Sequence, residues 1–118
     1  MDRLIALSLL FCSCAVFIPA EKPEGEDALY HCPWAASVQL VGDWNSWGGM
    51  TGPLGIVDPR SGLMEQNGEY WTLDFPSDLR RGCYRYGFLI NGTELVHDPL
   101  NPDEAVFKNS RVSLLTVD

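Results

Sequence analysis

Residues 83–90 alternate with period two. Tyr84, Tyr86, Phe88 and Ile90 fall on one parity; Cys83, Arg85, Gly87 and Leu89 fall on the other. Aromatic and β-branched side chains at every second position predict a strand with one buried face. Asn91-Gly92 follows, a dipeptide that tolerates positive φ and lets the chain reverse as a hairpin. The return leg ends at His97-Asp98-Pro99, because proline cannot donate to a ladder. The same pattern predicts a strand over residues 37–41, with Val38 and Leu40 on one face. It predicts a stronger one over residues 69–75, with Trp71, Leu73 and Phe75 inward. Asn67-Gly68 marks a second hairpin, and residues 111–117 form the closing strand.

Between these strands the chain is rich in turn residues. Residues 42–49 are a polar turn that carries two tryptophans, Trp44 and Trp47. Residues 50–62 read as a loop holding a short strand over 54–57, and residues 62–65 as a weak strand. Leu54, Ile56 and Leu63 in that region either cover the body or cap one of its faces. Residues 77–82 and 100–103 read as turns. No segment carries a helical stripe of useful length. Short strands punctuated by Gly, Pro and Asn imply an all-β antiparallel sandwich of about seven to eight strands.

A chain of 118 residues makes one domain. Residues 1–20 have Arg3 near the start, an apolar run over 4–11, and small residues after it. That is the pattern of a secretory signal peptide, and the run is too short to span a bilayer comfortably. Cys14 after Ser13 also faintly resembles a bacterial lipoprotein site, although Phe11 fits that pattern badly. Residues 21–29 begin with the acidic run EKPEGED and read as a flexible leader, so the domain proper is expected over 30–118. The mature protein is then secreted or periplasmic, with no membrane span.

The formal net charge is −8, and removing residues 1–20 takes away one acid, Asp2, and one base, Arg3. The mature surface therefore repels phosphate backbones and anionic lipid, which argues against nucleic-acid binding. Cys32 and Cys83 remain after cleavage, in a compartment where disulfides persist. Either they bridge, closing a loop of about 50 residues worth ~4 kcal/mol in the chain-entropy model, or they are two separate thiols. Two Cys and two His without close spacing make no metal site, and no cofactor motif is present.

Catalysis finds little support. No nucleophile sits in a Gly-x-Ser-x-Gly elbow. His97 and Asp98 are neighbours on an extended segment and point to opposite faces, so Asp98 is expected to bond N–H groups in its own turn. The aromatic turn is more informative. An exposed indole beside Asn and Asp suits the apolar face of a sugar ring. Equally, both Trp44 and Trp47 can be core plugs.

Four stretches in order add a resemblance: VQLVGDWNSW at 38–47, GEYW at 68–71, YRYGFLING at 84–92 and HDP at 97–99, with Asn109-Ser110 after them. Together they resemble carbohydrate-binding module family 48, the glycogen-recognition domain of the AMP-activated protein kinase β subunit and the early-set domains of glucan branching and debranching enzymes. The resemblance spans nearly the whole mature chain. It implies an immunoglobulin-like sandwich and binding of an α-glucan. Trp47 matches the family's stacking tryptophan, and Asn109 its sugar-bonding asparagine. Two contacts are missing: the family's lysine is replaced by Gly87, and its second tryptophan by Leu95 or Glu94. Arg85, on the same parity as Gly87, is a candidate substitute for the lysine, and Trp44 an assisting aromatic.

The leading expectation is therefore an exported, non-catalytic α-glucan-binding module using Trp47, Asn109, Arg85 and Trp44. Its partners would be the polysaccharide and a glycoside-active enzyme or another envelope protein. The alternative is a structural or protein-interaction early-set module with its sugar site eroded at Gly87 and Leu95, a reading that an exposed apolar patch around Leu89 and Leu95 would favour. Asn91-Gly92-Thr93 is also a formal glycosylation sequon, explained without modification by its hairpin.

Overall fold

The computed structural model describes residues 28–118; the expected signal segment and residues 21–27 of the leader lie outside the described residues. The described chain runs β1 (Ala28–His31), β2 (Val38–Gly42), a 3-10 segment (Asp43–Gly49), β3 (Glu65–Asn67), β4 (Tyr70–Leu73), β5 (Gly82–Ile90), β6 (Glu94–Val96), β7 (Glu104–Phe107) and β8 (Ser110–Val117). These eight strands form two antiparallel sheets, as a sandwich requires. One has the order β1-β4-β3. The other has the order β2-β5-β8-β7, with β6 also paired to β5.

β5 is the centre of the larger sheet. β2 lies along one side of it, with Val38 opposite Ile90 and Gly42 opposite Tyr86. The other side is shared: β6 takes residues 88–90 and β8 takes residues 82–86. Both asparagine-glycine hairpins occur where the sequence places them. The return leg of the Asn91 hairpin is β6, as expected. Two short strands were not legible as such: β1, which starts within the expected leader, and β7 after the 100–103 turn. Residues 54–57 form no strand.

The interior between the sheets takes the parity predicted for it. Tyr86, Phe88 and Ile90 of β5 pack with Val38 and Leu40 of β2, Trp71 of β4, Cys32 and Met64. The Trp71 indole N–H donates to the Cys32 carbonyl at 2.8 Å. The hydroxyl of Tyr86 donates to Asp98 Oδ2 at 2.7 Å and accepts from Asn101 Nδ2 at 3.1 Å. Burial, with the Asp98 carboxylate beside it, pushes the Tyr86 phenol well above its ordinary range. Asp98 Oδ1 accepts the Leu100 N–H, the local turn bond expected of it.

The expectation of one buried face on β5 is corrected. Leu89 is buried too, in a second core with Val41, Trp47, Phe107 and Val112 on the outer face of the larger sheet. Every residue of β2 is buried, on both sides. A loop over residues 50–61 closes this outer face. Its ends meet through the Asp58 N–H to the Gly48 carbonyl (2.7 Å), and Met50 and Val57 pack inward. The Gln39 amide anchors it, donating to the Asp58 and Ser61 carbonyls at 2.8 and 2.9 Å. The chain then passes along the open edge of β2 at residues 62–64 before joining the smaller sheet as β3. At Gly62, φ is +65° and a Cβ would lie 2.0 Å from the Leu40 carbonyl oxygen, so only glycine fits that approach.

The disulfide expectation is also corrected: Cys32 is a buried free thiol and Cys83 an exposed one. Cys32 sits in the inter-sheet core, whereas Cys83 has the opposite, outward parity of β5. Burial pushes the Cys32 thiol above its ordinary range, and Glu94, near the far end of β5, adds to this. Cys83 is seven residues from that end, about 23 Å at strand rise, beyond the reach of any disulfide. The predicted labelling pattern is sequential. In native protein an alkylating reagent should modify Cys83 and spare Cys32, with Cys32 modified only on unfolding, as read by peptide mass mapping. Recovery of a Cys32–Cys83 cross-linked peptide would contradict this packing.

Candidate functional site

The turn after β2 was expected to present a sugar platform. Instead it drives one indole into each core. Trp44 points between the sheets, partly buried against Phe75, Tyr84 and Tyr86 with ring centroids 6.1–6.3 Å away. Trp47 enters the outer core, where it is 1% exposed. Its ring stacks on Phe107 with centroids 3.8 Å apart and planes 7° from parallel. The expectation of a solvent-exposed Trp47 is overturned: both flat faces cannot be offered to a sugar when one lies on Phe107 and the ring is enclosed.

The backbone of the turn explains how this is done. Ser46, Trp47 and Gly48 all have positive φ, at 55°, 55° and 72°. For Ser46 and Trp47 this conformation costs about 1–2 kcal/mol each, and a bulky residue there is an outlier that the surroundings must impose. Burial of an indole is larger than that strain, since Trp-to-Ala truncation in a core typically costs about 3–5 kcal/mol. Asn45 holds the entry. Its Oδ1 accepts the N–H groups of Gly42 and Gly48 at 3.0 and 3.2 Å, and its Nδ2 donates to the Leu40 carbonyl at 3.0 Å.

Asp43 and Arg85 lock the plug from above. The Trp47 indole N–H donates to Asp43 Oδ1 at 3.0 Å. Arg85 gives the same carboxylate its backbone N–H (2.8 Å), Nε (3.3 Å) and Nη2 (3.1 Å). Burial alone would push the Asp43 carboxyl up. The Arg85 backbone and guanidinium donors and the Trp47 N–H together outweigh it and hold the carboxyl below the usual range. Arg85 Nη1 also donates to the Val106 carbonyl at 3.1 Å, and its guanidinium lies 5.7 Å from the Phe107 ring centroid. The Asp103–Leu114 bond fixes the alternation along β7 and β8 so that this Val106 carbonyl points away from β8. Arg85 thus occupies an acceptor on an otherwise open sheet edge.

Asn109 is exposed, in the hairpin that joins β7 to β8, two residues after Phe107. Lys108 and Asn109 both have positive φ (48° and 67°), the backbone of a two-residue turn in which asparagine is favoured on conformational grounds. Asn109 borders a shallow cavity of about 350 Å³ with Glu104, Val106 and Arg111. The structure therefore groups Trp47, Arg85 and the Asn109 hairpin on one side of the larger sheet, and sends Trp44 to the other.

The two departures from the family pattern lie in direct contact. A Cβ at Gly87 would sit 2.8 Å from the Val96 carbonyl oxygen and 3.2 Å from Leu95 Cδ1. Leu95 packs into the outer core, and Leu89 is buried, so the apolar patch that would have favoured an interaction module is not exposed at these two residues. The large apolar groups that do reach solvent are elsewhere: Leu54 at 83%, Ile56 at 69%, Trp34 at 67%, and also Val106, Leu100 and Leu63. Trp34 carried no sequence signal beyond its neighbour Pro33.

No family model and no curated protein matches this chain.

Two outcomes test the plug. Trp47→Ala should lower the unfolding free energy by about 3–5 kcal/mol in a denaturant titration, whereas an effect below about 1 kcal/mol, the range of a surface change, would contradict the packing. The second concerns pH. A carboxyl whose folded pKa is depressed stabilises fully above its unfolded value, about 3.9 for Asp, and that contribution is lost as pH falls through the folded value. Asp43→Asn should therefore be less stable than wild type at pH 7, and the gap should begin to narrow as pH falls below about 4. A gap independent of pH would show that the charge is not involved.

Proposed function

We propose that this domain is an exported, non-catalytic early-set-type module that works by contact with another protein, its family-type sugar face having been closed by its own residues. The observation that carries the reading is the occupied outer face of the larger sheet. Trp47 lies on Phe107, Arg85 is committed to Asp43 and Val106, and Leu95 fills the space over Gly87. A stacking platform must be open to its ligand before binding, and a ring at 1% exposure is not.

The loop that completes this closure supports the contact reading. It is tied at both ends and anchored from below by Gln39, so it is held in place, yet it carries Leu54 and Ile56 outward. Two exposed aliphatic groups two residues apart on a fixed loop are the sort of anchor that fills a pocket on a partner. A glucan-binding reading would need a platform other than Trp47.

Intrinsic tryptophan fluorescence of the native protein, titrated with maltooligosaccharides to millimolar concentration, should show no saturable change. A saturable quench that disappears in Asn109→Ala, an exposed position whose replacement leaves the core intact, would overturn the proposal in favour of sugar binding. A photo-crosslinker placed at position 54 should capture a distinct protein in the native medium, one that a crosslinker at exposed Asp78 does not.

A further inference from the structure

The chain contains two asparagine-glycine pairs, Asn67-Gly68 and Asn91-Gly92, each exposed at a hairpin. As sequence they are equivalent, and both are open to the same self-reaction. The backbone nitrogen of the glycine attacks the asparagine Cγ. A new N–Cγ bond forms, the Cγ–Nδ2 bond breaks and ammonia leaves. Water then opens the five-membered imide at either carbonyl, giving aspartate or isoaspartate. No redox change occurs, and water is the only co-reactant.

The structure separates the two. Asn91 is held: its Oδ1 accepts the N–H groups of Ala36 at 2.8 Å and Ser37 at 3.2 Å, and its own N–H donates to the Ser37 carbonyl at 2.9 Å. Its φ is +53° and that of Gly92 is +73°, and the Thr93 N–H closes the turn on the Ile90 carbonyl at 3.0 Å. In a turn with both central residues at positive φ, the first has ψ near about +30°. That angle turns the Gly92 nitrogen almost directly away from the Asn91 side chain. Ring closure there must break two side-chain bonds and undo the turn.

Asn67 meets neither obstacle. It is the last residue of β3, an edge strand of three exposed residues, and its side chain makes no hydrogen bond among the described residues. Its backbone is extended, which leaves the glycine nitrogen closer to the side chain than the turn at Asn91 does; ring closure still needs a large rotation about the Cα–C bond, but at the exposed end of an edge strand next to a flexible glycine. Neither glycine N–H has a backbone acceptor among the described residues, so the difference lies with the asparagines.

We infer that Asn67 is a site of spontaneous deamidation and isoaspartate formation in the folded protein, and that Asn91 is protected by the clamp on residues 36 and 37. The product matters locally. A carboxylate at position 67 joins Glu65 on the same face of β3, and Glu69 is two residues further on. An isoaspartyl link also adds a backbone carbon, which breaks the register of residue 67 with Tyr70.

The experiment is peptide mass mapping of the native protein aged at neutral pH and 37 °C, beside the same protein in urea. Loss of two hydrogen bonds corresponds to at least about fivefold in rate, so the native protein should gain one mass unit at residue 67 at least about fivefold faster than at residue 91. In urea the two rates should converge. Asn67→Gln should abolish the product without changing the Asn91 rate. Equal native rates, a faster reaction at Asn91, or no reaction at Asn67 while the urea sample reacts would each overturn the inference.

Discussion

The contact that the outer half of this molecule depends on is the Trp47 ring lying on Phe107 beneath the Asp43–Arg85 ion pair. It joins elements far apart in sequence: the turn after β2, the middle of β5 and the last hairpin. Without it the backbone of residues 46–48 has no reason to remain at positive φ, since that conformation is uphill for Ser and Trp. The 50–61 loop starts from this turn and closes back on it at Gly48, so its position follows from the plug. The Val106 carbonyl gains its partner from the same arginine. A charged pair this close to solvent gives little energy as a surface salt bridge. Its larger effect is geometric, because one carboxylate receives the indole N–H and three donors from Arg85, fixing the ring's depth and angle.

Much of the fold was legible because β5 obeys a simple rule. Its even positions are aromatic or β-branched and its hairpin carries asparagine-glycine, so strand, face and turn could be read from residues 83–92 alone. Trp71 and Leu73 were legible for the same reason. β1 and β7 were not. They are four residues long, and their extended state comes from pairing with β4 and β8 rather than from any alternation of their own. The second core was hidden by the same limit. Alternation says which residues share a face, but it does not say whether the other face meets water or a loop that returns to cover it. Leu89 and Val41 looked like outward positions until the loop over residues 50–61 was placed above them.

The candidate site was half legible. Parity correctly put Arg85 and Gly87 on one face, and the loop motif correctly marked residues 43–47 as unusual. What the motif does not contain is the direction of each indole. That is set by the positive φ at Ser46 and Trp47 and by Phe107, a residue sixty positions away with no sequence mark linking it to the turn. Cys32 and Cys83 failed for a related reason. An even count suits a bridge, but parity on β5 and distance along it put the two thiols in different environments.

Gly87 and Leu95 then take on a different meaning. Judged against a sugar-binding pattern they are two separate losses. In the folded chain they are one packing event: a side chain at 87 would collide with the Val96 carbonyl, and Leu95 fills what the glycine leaves free. The remaining motif residues have structural tasks of the same kind. Asp43 receives four donors, Trp44 fills the inner core, Asn45 ties the turn to β2, and Trp47 fills the outer core. A motif whose every member is needed to build the turn would be retained whether or not a ligand ever arrived. Its presence is therefore a statement about the scaffold, and function must be argued from the groups the scaffold leaves uncovered. Among the large apolar side chains these are Leu54 and Ile56 on the covering loop, and Trp34, Leu63, Leu100 and Val106 elsewhere.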